Sequence, residues 1–193
     1  TVTDRARAVV QDRITVPAAN LMQGVAWHPS GDYALTTLLR TKNLVPMTRI
    51  NRGWTISNGL GILWRDGRVD QVLLDQNNLC FSDPIAVAIT PDGRLALVTS
   101  SSSDRVAVVD LARLMNVVTN ATSNERLHVL PNHTGKPAEY VIKHIPVGAA
   151  PRGLTLSLED TLEPEEVIGR FPIQDPAMIV ATDSSAILGI GDQ

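Results

Sequence analysis

Side chains that could bind a ligand are concentrated in one basic segment of the first third of the chain. It carries Arg40, Lys42, Arg49 and Arg52 together with Trp54, and no acidic residue falls among them. A basic loop of this kind between two strands is a common place for a ligand to bind. The alternative is a solvated connector whose arginines pair with carboxylates on neighbouring elements. The candidate ligand-binding residues are therefore Arg40, Arg49, Arg52 and Trp54, and both readings stay open.

The histidines and the cysteine give no complete catalytic or metal site. His128, His133 and His144 are close in sequence, but their spacing matches no usual zinc pattern. The simpler interpretation is that these histidines are exposed in loops. Cys80 is the single cysteine, so an internal disulfide is excluded, and no CxxCH haem-attachment motif is present. We predict no catalytic residues, no metal site and no bound cofactor.

Composition places the chain among ordinary water-soluble domains. It has 193 residues, 44% hydrophobic and 19% charged, with a formal net charge of −3. No basic excess suggests nucleic acid as a partner, and no apolar run is long enough for membrane insertion. The amino terminus lacks the charged-then-apolar pattern of a signal peptide.

The clearest structural signal is a β-meander over residues 81–111. Three short apolar runs, at 85–90, 95–99 and 105–111, are separated by a Pro-Asp-Gly turn and by a serine-rich turn. Proline fixes φ at the first turn position, whereas Gly93 can accept a positive φ. Alternation places Val106 and Val108 on one face of the last strand, and Ala107 and Val109 on the other.

The pattern recurs along the chain. Residues 24–35 match residues 86–97 around a Pro-x-Gly turn, and a third copy begins at Pro151. Residues 59–74 predict another hairpin, with its turn at Asp66-Gly67. By contrast, residues 112–140 look irregular and polar, residues 139–147 predict a strand, and residues 1–16 fit either an outer strand or a short helix.

These repeats carry a family resemblance. The segments GVAWHPSGDYAL, AVAITPDGRLALVTSSSSDRVAVVDL and IPVGAAPRGLTLS resemble YVTN-type seven-bladed β-propellers over about residues 20–158. The resemblance implies an all-β fold and a periplasmic or secreted location, with c-type cytochromes as possible partners. A blade takes about 40–45 residues, so the chain holds about three to four blades. We therefore expect a partial ring, a fragment completed by another polypeptide, either a copy of itself or another chain.

The last part of the chain breaks the pattern, which predicts a propeller segment at 1–156 and a short α/β-like tail at 157–193. The tail, including IVATDSSAILGIGDQ, resembles the strand-turn-strand segment of malic enzymes, which decarboxylate malate using NAD(P) and a divalent metal. Ala186 stands where many of them carry an arginine, and the family's catalytic lysine, tyrosine and metal carboxylates would fall outside this chain. The alternative is a degenerate last blade.

Three functions remain open at this point. The leading one is a non-enzymatic propeller segment that binds or scaffolds, in a cell envelope beside redox proteins of the cytochrome type. The second is the amino-terminal part of a malic-type NAD(P)-dependent oxidoreductase. The third is a propeller enzyme of lactonase or dehydrogenase type, with His28, Arg40, Arg49 and Arg52 as its candidate ligands. For the chain alone, we lean against enzymatic activity.

Overall fold

The computed structural model of the chain describes residues 2–4, 9–41 and 56–154. Paired strands dominate these residues, and every named strand pair is antiparallel. The predicted all-β class, with blades like those of a propeller, is confirmed. The elements are β1 (Val2–Asp4), β2 (Val9–Asp12), β3 (Ala19–Asn20), β4 (Val25–Trp27), β5 (Tyr33–Thr41), β6 (Ile56–Trp64), β7 (Val69–Leu73), β8 (Pro84–Ile89), β9 (Leu95–Ser100), β10 (Arg105–Asp110), α1 (Leu111–Asn120), α2 (Ser123–His128), a 3₁₀ helix (Lys136–Glu139) and β11 (Val141–Pro146).

Two sheets in the described part of the chain have the meander order of a propeller blade. In the first blade, β4 to β7 pair in chain order, and β3 lies beside β4 along the same edge of β5. In the second blade, β8 to β11 follow in chain order. The three predicted hairpin turns are present, with φ of +76° at Gly31, +89° at Gly67 and +72° at Gly93. Turn chemistry in the sequence therefore identified these hairpins correctly.

The main core lies between the two blades. The first blade contributes side chains such as Leu35, Leu60 and Ile62, and the second contributes Val98 and Val109, all fully buried. Each large side chain of this kind adds about 1.5–3 kcal/mol when it leaves water. Blade-on-blade packing is thus the principal source of stability in the described region.

The face of the second blade that points away from the core between the blades is also apolar. Leu97 and Val106 are buried there, and Ile145, Val147 and Leu154 pack around them. Ala107 and Val109 belong instead to the core between the blades. The predicted alternation along β10 is confirmed, because successive side chains of a strand point to opposite faces.

The expectation that residues 112–140 are irregular was wrong. Asp110 caps α1 by accepting the backbone N–H of Arg113, and Thr122 and Glu125 form a capping box that starts α2. The apolar residues of α1 recur at helical spacing, so they share one face of the helix. Leu111, Leu114 and Val118 on this face are buried. The 3₁₀ helix follows, so the strand predicted from residue 139 begins at Val141 instead.

This helical insertion between β10 and β11 fastens the second blade to the first. The Tyr140 hydroxyl donates a buried hydrogen bond of 2.8 Å to the Leu73 carbonyl at the end of β7. Thr134 Oγ1 donates to Asn77 Oδ1 at 2.6 Å, in the connection between the blades. Arg126 of α2 lies 4.0 Å from the Asp70 carboxylate on β7. The insertion therefore replaces a short turn with a second set of contacts between the blades.

The amino-terminal alternatives are resolved in favour of strands, since β1 and β2 pair antiparallel. The boundary predicted at residues 156–157 and the α/β-like tail lie outside the described residues. Within the described residues, no helix has the length and apolar character needed to cross a membrane.

Candidate functional site

Four large apolar side chains stand exposed within a short stretch of the first blade. We call Leu21, Met22, Val25 and Trp27 the apolar strip. Their exposed fractions are 63%, 48%, 62% and 63%. On β4 the pattern alternates, because Ala26 packs against the core between the blades while Val25 and Trp27 point to the opposite face. Val25 and Trp27 thus mark the face of the first blade that the second blade does not cover, and Leu21 and Met22 lie in the loop just before them.

The chain segment at the start of β4 is held by close contacts with β5 and with β8 of the second blade. A Cβ on Gly24 would lie 2.6 Å from the Ile85 carbonyl oxygen, so β4 approaches β8 at a distance that only glycine permits. Thr37 Oγ1 accepts the backbone N–H of Gly24 at 2.9 Å and donates to the Ile85 carbonyl at 3.3 Å. Thr36 Oγ1 donates to the Gly24 carbonyl. These bonds hold the two inner strands together and fix the direction of Val25 and Trp27.

The chemistry of the strip is that of an interaction surface. Its side chains carry no nucleophile and no acid or base. Exposed apolar groups that cluster on a folded protein commonly mark contact sites for other macromolecules. Leu21 also has a positive φ of 47°, an uncommon conformation for a bulky residue. The backbone is thus held in a strained shape where the strip begins.

Arg40 lies at the end of β5, beside β3. Its Nη1 donates to Gln71 Oε1 at 2.8 Å and to the Pro17 carbonyl at 3.2 Å, and Gln71 Nε2 donates to the same carbonyl. Burial lowers the pKa of the Arg40 guanidinium from its ordinary value. In the structure, Arg40 therefore ties the segment before β3 to the first blade.

His28 lies at the other end of β5. Its Nε2 is 3.0 Å from the Gly93 carbonyl oxygen, its Nδ1 is 2.8 Å from Ser30 Oγ, and its ring stacks on Tyr33 with centroids 4.6 Å apart. A carbonyl only accepts, so the contact with Gly93 places a proton on Nε2. Both ring nitrogens are then engaged within the protein.

Of the predicted ligand-binding residues, the structure describes His28 and Arg40, and it does not bring these two together. Arg40 is seven residues along β5 from Tyr33, the stacking partner of His28, which corresponds to about 23 Å. Arg49, Arg52 and Trp54 lie outside the described residues. Ligand binding by this set stays a prediction.

A buried polar network that we did not predict from sequence occupies the connection between the blades. The Asp75 carboxylate accepts the backbone N–H groups of Asn58 at 2.6 Å and Phe81 at 2.7 Å, and the Asn58 side-chain amide at 3.0 Å. Burial raises the pKa of Asp75, while these hydrogen bonds oppose the shift. An aspartate just after an apolar strand was the available signal, but its burial depends on both blades.

Cys80 belongs to the same network. Its Sγ lies 3.3 Å from Asn58 Nδ2 and 3.1 Å from Ser82 Oγ. Burial, together with the nearby Asp75 carboxylate, raises the pKa of the Cys80 thiol to about 11. The thiolate is the reactive form, so this cysteine has low nucleophilic reactivity at neutral pH.

The three clustered histidines do not converge on a metal. His128 and His133 are exposed, whereas the His144 ring stacks on Phe81 with centroids 5.0 Å apart. Residues 2–4, 9–41 and 56–154 contain no group of three or more histidine, cysteine or carboxylate side chains placed to hold a metal ion.

Two comparisons give matches. The family model "Malic enzyme, N-terminal domain" matches residues 107–193, which is under half of the chain. This confirms a malic-enzyme-like tail, but the match begins within β10, well before residue 157. It thus includes α1, α2 and β11 of the second blade. No curated protein matches the chain.

Among solved structures, the chain is similar to Kuenenia stuttgartiensis hydrazine synthase. The TM-score is 0.72 at 23% sequence identity, and the match covers 78% of this chain and 43% of that one. The chain therefore spans under half the length of the protein that it resembles. At this identity the similarity concerns the fold alone.

Proposed function

We propose that this chain is a non-enzymatic β-propeller segment that binds another polypeptide through the apolar strip. The observation that supports the proposal is the exposure of Leu21, Met22, Val25 and Trp27, of which the last two lie on one face of β4. In a propeller, both faces of each blade pack against neighbours. Here one face of the first blade is covered by the second blade, and Val25 and Trp27 of the strip lie on the other.

The expected occupant is polypeptide that continues the ring, either a second copy of this chain or another subunit. Val25 and Trp27 project from the same strand face, as the side chains of a blade do when they meet the next sheet. The supporting strand is held by Gly24, Thr36 and Thr37, so the surface needs little reordering on binding. A preorganised surface loses less entropy when it docks.

Finer assignments rest on the repeat motifs. From them we assign the chain to the YVTN-type propellers and to a periplasmic or secreted setting, with a c-type cytochrome as a candidate redox partner. The fold similarity to hydrazine synthase supports only the propeller architecture.

The test compares the wild-type chain with Trp27→Ser and with a matched control, Leu127→Ser. Leu127 is exposed by 62% on α2, away from the strip. Sedimentation velocity at micromolar concentration measures self-association, and a fluorescent hydrophobic dye measures exposed apolar surface. We expect association or dye binding by the wild type, a clear loss in Trp27→Ser, and little change in Leu127→Ser. A wild-type monomer that binds no dye would overturn the proposal.

A second candidate is the amino-terminal part of a malic-type NAD(P)-dependent oxidoreductase. The family match to residues 107–193 supports it. The purified chain would be supplied with malate, manganese and NAD or NADP, and cofactor reduction followed by absorbance. We expect no turnover by this chain alone, because the catalytic lysine and metal carboxylates that the resemblance implies fall outside its sequence. Turnover that a chelator abolishes would favour this candidate over the first.

The third hypothesis, a propeller enzyme of lactonase or dehydrogenase type, receives no support from the described geometry. Its candidates His28 and Arg40 lie at opposite ends of β5 and are engaged in contacts within the blades.

A further inference from the structure

A cavity of about 220 Å³ opens in the helical insertion, between α1, the start of α2 and the 3₁₀ helix. It is separate from the apolar strip. Its polar lining includes Asn116, Asn120, Glu125, Lys136 and Glu139, with Leu130 on its apolar part. The volume suits a molecule much smaller than the drug-sized ligands that occupy pockets of about 300–1,000 Å³.

The amide groups at this cavity retain hydrogen-bonding capacity. Asn120 Nδ2 donates to Asn116 Oδ1 at 2.8 Å, so the pair is held in one arrangement. An amide side chain offers two donors and one acceptor oxygen. The bond leaves the amino group of Asn116 as a donor and the oxygen of Asn120 as an acceptor.

The carboxylates are also fixed while part of each remains available. The backbone N–H and the hydroxyl of Thr122 both donate to Oε2 of Glu125, at 2.8 Å each. These bonds lower the pKa of Glu125, so it is ionised at neutral pH. Lys136 Nζ pairs with Oε1 of Glu139 at 2.9 Å. Each carboxylate thus offers its second oxygen, and the ammonium of Lys136 keeps further protons to donate.

The balance of charge selects the class of ligand. Two carboxylates and one ammonium leave the cavity with one net negative charge, which favours a ligand ammonium group near Glu125 and Glu139. Lys136 and the amino group of Asn116 are donors suited to a carboxylate. A dicarboxylate would add two negative charges to a site that already carries an excess of one, so it is disfavoured.

We propose that this cavity binds a small zwitterion with one primary ammonium group and one carboxylate, of the size of a free amino acid. The ammonium lies by Glu125 and Glu139, and the carboxylate lies by Lys136 and Asn116. The assignment is independent of polypeptide binding at the apolar strip.

The experiment titrates the ¹⁵N-labelled full chain with L-alanine and follows its amide chemical shifts. Propionate and ethylammonium serve as probes that carry only one of the two charges. We expect saturable shifts confined to α1, the start of α2 and the 3₁₀ helix, with both single-charge probes weaker than L-alanine. No saturable shift at tens of millimolar, or equal responses to all three probes, would overturn the proposal.

Two variants and a control sharpen the test. Glu139→Gln removes one negative charge, so the affinity for L-alanine should fall by about threefold, which is the scale of one exposed charge pair. Lys136→Gln should lower the affinity for L-alanine but raise the affinity for ethylammonium, because the cavity then carries two negative charges. Lys143→Gln, exposed on β11, should bind like the wild type. If ethylammonium binding did not rise in Lys136→Gln, the charge assignment would be wrong.

Discussion

The Nε2 atom of His28 lies 3.0 Å from the carbonyl oxygen of Gly93, so the first turn of one blade is joined directly to the equivalent turn of the next. The two turns are repeats of each other in sequence, and His28 occupies the place that Thr90 has in the second copy. A Cβ added to Gly93 would meet His28 Nε2 at 2.6 Å. Gly93 thus allows the positive φ of its own turn and also leaves room for the His28 ring of the neighbouring blade.

Gly93→Ala should destabilise the chain more than Gly67→Ala does. Both glycines have positive φ, which costs an alanine about 1 kcal/mol. Only Gly93 also packs on another residue, because nothing lies within 4 Å of a Cβ at Gly67. We expect an additional loss of about 1–2 kcal/mol at Gly93 from overpacking. The free energies of unfolding in urea measure the difference, and equal values would show that His28 moves aside without cost.

Tyr140→Phe should cost about 1–2 kcal/mol, because the Leu73 carbonyl would lose a buried donor. Tyr33→Phe is the matched control. Tyr33 is also buried, but its contacts in the structure are ring contacts with His28 and Trp64. Denaturant unfolding of both variants gives the comparison. If Tyr140→Phe were no less stable than Tyr33→Phe, the insertion would not fasten the blades through this bond.

His144 should make stability fall as the solution is acidified. Burial, reinforced by the Arg105 charge, lowers the pKa of His144 to about 4 from 6.5. Neither ring nitrogen makes a hydrogen bond of normal geometry to a described residue. Between these pH values the unfolded chain binds a proton that the folded chain does not, so folding stability declines as pH drops from about 6.5 to about 4. After allowance for solvent screening, the loss is about 1–2 kcal/mol.

His144→Phe removes the titrating group and can still pack on Phe81. The wild type should lose more stability than this variant between pH 7 and pH 4.5. Asp75, whose pKa is raised, contributes with the opposite sign, but it is common to both proteins and cancels in the difference. Parallel curves for wild type and His144→Phe would contradict the prediction.

The Cys80 thiol should react slowly in the folded protein. Its raised pKa leaves very little thiolate at pH 7.5, and Asn58 and Ser82 lie against the sulfur. We expect alkylation by iodoacetamide to be at least about tenfold slower than in the urea-unfolded chain. Mass spectrometry over time measures both rates. Equal rates would mean that the connection between the blades opens readily.

The sequence by itself determined the hairpins. Gly31, Gly67 and Gly93 lie at turns that need a positive φ, and short apolar runs on either side alternate with the period of a strand. These signals are local, since a turn and its two strands fall within about twenty residues. The start signals of α1 and α2, Asp110 and the pair Thr122 and Glu125, are equally local. The helices could therefore have been predicted.

Only the tertiary structure decided how each polar residue is used. His28 and Arg40 looked alike as candidate ligands, but the length of β5 separates them and each is engaged within the blades. Asp75 follows an apolar strand and carries no motif of its own, but in the structure it is the buried centre of a network through Asn58 and Phe81. Burial and hydrogen bonding depend on residues that are distant in sequence and meet only when blades pack. For the same reason, the exposure of Val25 and Trp27 could not be distinguished from burial until the covered face of the first blade was known.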